Sequence, residues 1–365
     1  MNNKPFFQPT FGSRPPRIVG RDAEIGSLLD GLTTPIGSRE RCTLLLGQRG
    51  LGKTALLLEL EASAKESGFV TARVSHNGDM LNEIIELIQL NGAQFVEEPK
   101  KPIKGFSAGV LGFSFGLTFS EEIQRNYGFR VKLDLLCQKL EDSGKGVLIL
   151  VDEAQTSDKM RLLATTYQHL VGDQRNIALC MAGLPHAVSS ILNDSVLSFL
   201  NRAQKMKLGL VSNQEIRAYF ASAFEQLGLD CSQTMLDRAA DEAAGFPYLM
   251  QLVGYYIVRY AENSHAITSD VLEQAIAAAH QDFKENVFSP ILSPLSNKDR
   301  ELLAAMAQDE GPSKVSDIIE RMKTTDGSFQ PYRARMIEAG IIESPQRGYL
   351  EFAVPFLAQY LRSKG

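Results

Sequence analysis

The segment Gly47-Gln48-Arg49-Gly50-Leu51-Gly52-Lys53-Thr54 constrains this chain more than any other stretch. It fits the pattern GxxxxGK[ST] and lies between an apolar run, Thr43 to Leu46, and a helix-forming run, Ala55 to Ala64. A strand that ends in a glycine-rich loop and feeds a helix leaves a row of backbone N–H groups without intrahelical partners. The helix dipole adds to their attraction for an anion. The glycines let the backbone curl so that successive N–H groups point inward, Lys53 supplies a point charge for the β- and γ-phosphates, and Thr54 offers a hydroxyl to Mg²⁺. Residues Gly47 to Ala55 are therefore expected to hold the phosphates of a nucleoside triphosphate, with ATP and Mg²⁺ as the cofactors.

A second motif lies about a hundred residues on. Gly146 to Val151 is a continuous apolar run that ends in Asp152 and Glu153, which reads as a buried parallel strand with acids at its carboxyl end. Ligands of open α/β sheets bind at that edge. Asp152 is placed to hold Mg²⁺ through water, and Glu153 to polarise the water that attacks the γ-phosphate.

Along the chain, residues 1–17 are rich in Pro, Phe and Gly without periodicity and read as an extended arm or linker. Short apolar runs around Thr43, Phe69 to Val74, Val147 to Val151 and Ile177 to Met181 alternate with helical segments, which argues for a parallel α/β sheet over 18–211. An insertion at about 98–120 breaks this pattern; its second part, Gly105 to Phe119, alternates in the manner of a β-hairpin. Such a hairpin packs on its own domain or serves as an oligomer or DNA contact. Residues 212–288 carry only helical patterns. A Pro/Ser-rich link from Ser289 opens a last unit, 289–365, with three helical patterns and a hairpin signal around Pro345-Gln346-Arg347-Gly348.

Composition narrows the class only a little. With 365 residues and 44% hydrophobic content the chain can build two or three real cores. A net charge of -5 argues against indiscriminate nucleic-acid binding, though it says nothing of a local basic patch. Cys42, Cys137, Cys180 and Cys231 lack metal-ligand spacing and read as reduced core residues. There is no signal-peptide-like stretch and no apolar run of membrane-spanning length, so a cytoplasmic protein without membrane contact is expected.

The order Val19-Gly20-Arg21-Asp22, phosphate loop, Asp152-Glu153 strand, helical segment and C-terminal unit resembles the AAA+-like ATPases near the replication-initiator (origin-recognition) family and the related STAND regulatory ATPases. It is also similar to a group of bacterial ATP-binding proteins that begin with a Phe-x-Pro-x-Phe-Gly arm, matched by Phe7, Pro9, Phe11 and Gly12. The resemblance implies a P-loop NTPase parallel sheet with a helical lid and a C-terminal winged helix. It implies that Val19, Gly20 and Arg21 border the adenine pocket and that Pro247, in Gly245-Phe246-Pro247-Tyr248, meets the nucleotide as in STAND proteins. Two departures from the pattern point to slow hydrolysis. Tyr248 stands where many relatives carry a γ-phosphate-sensing arginine, and Ala182-Gly183-Leu184 lacks the Asn, Ser or Thr that positions water. Arg202 occupies a region where relatives place an arginine finger acting across a subunit interface; the alternative is an exposed arginine that caps the preceding helix.

In the last unit, Phe329, Tyr332, Met336 and Ile337 recur at helical spacing and should form a buried face, leaving Gln330, Arg333 and Arg335 largely off it. Arginine and glutamine there suit major-groove base edges, and Arg347 in the wing suits a phosphate or the minor groove. The expected function is an ATP-dependent, self-associating switch on double-stranded DNA. The competing expectation is a STAND-type regulator whose winged helix binds a protein partner. A small-molecule kinase is disfavoured by the absence of an evident substrate site in the helical units. The DEAQ string at Asp152 to Gln155 resembles helicases, but no second RecA-like domain follows.

Overall fold

The computed structural model describes residues 6–10, 14–96, 113–262 and 266–363. They divide into two compact units. One comprises Arg21–Gly47 and Lys53–Lys207; the other comprises the described residues of Met1–Gly20, Gln48–Gly52 and Leu208–Gly365.

The first unit is built on a five-stranded sheet of β1 (Cys42–Leu46), β2 (Phe69–Ser75), β5 (Gly146–Asp152), β6 (Ile177–Gly183) and β7 (Gln204–Lys207). Between them in sequence lies a small hairpin of β3 (Phe113–Phe115) and β4 (Thr118–Phe119). The sheet order is β2-β5-β6-β1-β7 with all pairs parallel. Every residue of β5 and of β6 is buried. That burial explains why these two strands read as unbroken apolar runs: helices cover both faces of a parallel sheet, so no side of the strand can be polar. The polar strand β7 sits at the edge, where its outward positions meet solvent.

The described part of the insertion packs on its own unit. Phe113 and Phe119 stack with ring centroids 5.2 Å apart, both are buried, and Leu117 joins the same core. Gln89 Nε2 donates to Leu117 O at 2.6 Å, which ties the turn to the helix Met80–Gly92. These side chains are thereby withdrawn from any partner contact; the preceding residues, 97–112, lie outside the described set.

The second unit is helical up to residue 306, with the helices Asn213–Gln226, Gln233–Ala243, Pro247–Ala261 and Ser269–Phe283. The N-terminal segment, expected as an extended arm, is docked here. Phe7 is buried among Tyr219, Phe220 and Phe224, with ring centroids 5.5, 5.7 and 6.0 Å away. Gln8 N–H donates to Gln251 Oε1 at 2.8 Å and the Tyr219 hydroxyl donates to Phe6 O at 2.5 Å. A Cβ on Gly254 would lie 2.2 Å from the Phe7 ring, so glycine at this point in the helix makes room for the anchor. Phe11 and Gly12 of the arm motif lie outside the described residues.

The Pro/Ser-rich link begins as a helix. A π-turn, Lys284–Phe288, runs on from the preceding helix into Ser289–Leu292. Pro290 is the second residue of Ser289–Leu292, and Phe288, Ile291 and Leu292 are buried. Phe288 meets Tyr360 at 5.1 Å and His280 meets Phe356 at 5.1 Å, so the C-terminal segment is packed on the helices through aromatic pairs. That segment comprises helices Asn297–Met306, Val315–Arg321 and Asp326–Glu338 with a three-stranded antiparallel sheet of β8 (Ser313–Lys314), β9 (Ile342–Glu343) and β10 (Tyr349–Phe352), in the order β8-β10-β9. No helix among the described residues is long and apolar enough to cross a membrane.

Candidate nucleotide-binding site

The carboxyl ends of β1, β6 and β5 lie side by side, and the expected phosphate machinery stands at their tips. After Leu46 the chain leaves β1, and the helix Lys53–Glu66 begins at the lysine of the motif. Gly50 and Gly52 have φ of +80° and +84°, the left-handed region where a side chain would be strained, so the loop conformation demands both glycines. Lys53 Nζ donates to Gly47 O at 2.7 Å, which folds the lysine back over the start of its own loop. Gly47 N–H in turn reaches Gly183 O at the end of β6, 3.3 Å away. Gly183 is also closely packed, since a Cβ there would meet Ala154 O at 2.9 Å.

Asp152 ends β5 and is only 7% exposed. Its carboxylate accepts from the Thr54 hydroxyl at 2.7 Å and from Glu153 N–H at 2.9 Å. The structure thus brings Thr54 and Asp152 together across 98 residues of sequence. Two hard oxygen donors side by side are a chemistry that fits Mg²⁺, with remaining positions suited to water and phosphate oxygens. Glu153 is exposed and adopts φ of 54°. A non-glycine residue held there costs about 1–3 kcal/mol, a strain that collects at functional positions. Asp152 turns inward to Thr54, and Glu153 is left facing solvent.

A residue that the sequence reading passed over lies beside them. His76 directly follows β2, whose last residue, Ser75, is in register with Asp152, and His76 N–H donates to Asp152 O at 3.1 Å. Burial lowers the pKa of the His76 imidazole; the Glu153 charge opposes that shift and Lys159 adds to it. The available signal was positional: any residue one step past β2 stands next to the end of β5.

Within the other unit, Pro247 opens the helix Pro247–Ala261, and the loop glycines lie beside it. A Cβ on Gly52 would be 3.8 Å from the Pro247 ring and one on Gly50 would be 3.7 Å from Phe246. Gly245, at φ of +77°, could not carry a Cβ without meeting Leu210 at 2.7 Å, which accounts for the glycine of the Gly-Phe-Pro motif. Gly20, also left-handed at +65°, faces Val211 and Glu215 in the same way, and Val19 beside it is half-buried. Gln48 Nε2 donates to Glu343 Oε2 at 2.7 Å, while Arg49 is exposed and Leu51 is buried. Arg21 is buried and pairs with Glu24 at 3.3 Å.

Residues 17–180 match the family model described as AAA ATPase domain. These residues are an AAA+ P-loop ATPase domain. Residues 285–361 of this ATPase match a second model, described as Domain of unknown function (DUF8462). No curated protein matches the sequence. Among solved structures, a Walker-type ATPase of Pyrococcus abyssi is 17% identical with a TM-score of 0.67, over 94% of this chain and 96% of that one. The ORC2 protein of Aeropyrum pernix, in ADPNP–ADP complexes, is 16% identical with a TM-score of 0.64, over 97% and 95%. Cdc6p from Pyrobaculum aerophilum is 17% identical with a TM-score of 0.51, over 97% and 95%. At these identities the likeness is one of fold, and it extends over the helical and C-terminal segments as well as the sheet.

The remaining expected site residues of the ATPase are dispersed. Arg202 ends a short 3₁₀ turn, Ser198–Arg202, and is exposed. Tyr248 packs on Phe283 at 6.0 Å inside the helical unit. In the helix Asp326–Glu338, Phe329 and Met336 are fully buried, whereas Tyr332 and Ile337 are only half-buried, so the apolar face is narrower than expected. Gln330 and Arg333 lie near its edge, 3.4 Å apart, and Arg347 is exposed on the turn between β9 and β10. Arg335 is exposed and off the buried face, as expected, and it also engages an acid. Its guanidinium grips Asp299 through Nη2 at 2.5 Å and Nε at 3.1 Å and lies 5.3 Å from the Tyr332 ring. Burial pushes the Asp299 carboxyl upward, but hydrogen bonds from Arg335 and Ser296 outweigh it and hold the group below the usual carboxylate range. Arg335 is thus a structural partner of a buried acid, and freeing it for a base edge would leave Asp299 uncompensated.

Proposed function

We propose that this ATPase is a slow, nucleotide-gated switch that acts on double-stranded DNA through its C-terminal segment. The observation that carries the reading is the element order of that segment: three helices, with β8 between the first and second and the β9–β10 hairpin after the third, an order that supports reading it as a winged helix. Arg347 then sits at the tip of the wing and Arg333 and Gln330 on the third helix. In the nucleotide site, Lys53 and the loop N–H groups hold the β- and γ-phosphates, and Thr54 and Asp152 would hold Mg²⁺, which neutralises phosphate charge when bound. Glu153 orients the attacking water and draws on its proton as the oxygen attacks phosphorus in line with the departing ADP. The missing polar residue at the end of β6, where Ala182 and Gly183 stand, supports low turnover.

Binding curves against salt test the DNA reading. Arg347→Ala should lower the salt slope by about one unit, and Arg333→Ala, if it loses a base contact, should cost on the order of 1–3 kcal/mol and relax specificity. If the full chain retains no duplex at low salt with ATP, with ADP or without nucleotide, the DNA reading is wrong. A regulatory ATPase that binds a protein partner then takes its place, and the commitment of Arg335 to Asp299 already favours that second reading by removing one cation from the helix.

Self-association belongs to the same proposal. If Arg202 completes a neighbour's site, hydrolysis per subunit should rise with protein concentration, and Arg202→Ala mixed with Glu153→Gln should recover activity that neither has alone. Activity per subunit that is flat across dilution and undiminished in Arg202→Ala would make Arg202 a surface residue of its 3₁₀ turn.

A further inference from the structure

The second residue of the phosphate-binding loop carries a contact that nucleotide binding does not require. Gln48 donates from Nε2 to Glu343 Oε2, the last residue of β9, 2.7 Å away. The two are 295 residues apart in sequence, and the bond is partly buried. A carboxylate hydrogen-bonded to a glutamine side chain lies within about 8 Å of that residue's own N–H, the span of one side chain plus one hydrogen bond. That is inside a Debye length at physiological salt. The Glu343 charge therefore stands within reach of the loop whose N–H groups take up phosphate.

Glu343 is not a solitary acid. Glu351 on β10 is its direct register partner. Burial raises the pKa of Glu351, and a hydrogen bond with Glu343 raises it further. Like charges directly opposite each other on a sheet are unfavourable. The acid pair stands beside an anion-binding loop, and Gln48 supplies a donor to it.

We propose that Glu343 is a charge sensor for the bound nucleotide: held on the loop by Gln48, its carboxylate disfavours each added phosphate and is in turn displaced when ATP fills the site. The sensor sets nucleotide preference, shifting it from ATP toward ADP, and it couples the loop to the β9–β10 hairpin, because a group that opposes ATP must by reciprocity be opposed by it. This rests on nucleotide binding by the loop and does not depend on what the C-terminal segment binds.

The experiment is an equilibrium titration of the full chain and of Glu343→Gln with ATP, ADP and adenosine. Glutamine keeps the shape and an acceptor for Gln48 but removes the charge. ATP should bind about tenfold tighter to Glu343→Gln and ADP about threefold tighter, as expected for loss of one screened repulsion at this range, while adenosine binds unchanged. Glu343→Asp, which retains the charge, should stay within about twofold of the unaltered protein for all three ligands. Adenosine binding reports whether each variant is folded, and ATP binding by the unaltered chain reports separately on the nucleotide site. In the unaltered protein, ATP should speed amide exchange across Ile342–Phe352 relative to the nucleotide-free state. Equal ATP affinity for the unaltered chain and Glu343→Gln, or a gain that is the same for adenosine as for ATP, would overturn the proposal.

Discussion

Lys53→Ala should weaken ATP binding by on the order of 10²-fold or more, whereas Glu153→Gln should leave binding intact and slow hydrolysis by roughly 10²–10⁴-fold. The two residues stand in different surroundings. Lys53 is the first residue of the loop's helix and folds back onto Gly47 O, so it moves with the phosphate cradle. Glu153 is exposed one residue beyond the sheet, at φ of 54°, and its N–H donates to Asp152, which also accepts from Thr54. Removing a charge from the cradle costs ground-state affinity, while removing a carboxylate aimed at solvent costs only the step that needs to orient water and take up its proton. Equilibrium nucleotide binding and phosphate release, measured on both variants, separate the effects. Glu153→Gln protein that hydrolyses ATP at the unaltered rate would remove Glu153 from the mechanism.

Phe7→Ala should destabilise the helical unit by about 3–5 kcal/mol, the cost of emptying a pocket built for a buried aromatic ring. The pocket is specific. Tyr219, Phe220 and Phe224 come from one helix and Gly254 from another, and the missing side chain at Gly254 leaves the space the ring occupies. Gly254→Val attacks the same contact from the opposite side and should expel the segment without altering it. Denaturant unfolding of the full chain reads both. A loss below about 1 kcal/mol in Phe7→Ala would mean the ring is dispensable, and the segment would return to being the linker its sequence suggests.

The contrast between these two predictions shows what could be read before folding. The parallel sheet was legible because β5 and β6 are buried on both faces, and a strand so placed has no choice but to be apolar along its whole length. The phosphate loop was legible because its chemistry is local: two left-handed glycines, a lysine and a hydroxyl must follow one another within a single turn of chain. The β9–β10 hairpin announced itself through its turn residues for the same reason.

What the tertiary structure alone decided concerns side chains whose partners lie far away in sequence. Residues near the amino end looked like a linker because the stretch rich in Pro, Phe and Gly has no periodicity, and the pocket for Phe7 is assembled from positions 219 to 254. Arg335 looked available because helical spacing puts it off the apolar face, but periodicity says nothing of Asp299, 36 residues back. Gln48 looked like a variable position in a loop pattern until the fold set Glu343 against it. Covalent neighbours and backbone geometry determine where a strand, loop or helix can form; which charge a side chain meets depends on elements brought together only by burying the apolar faces those elements share.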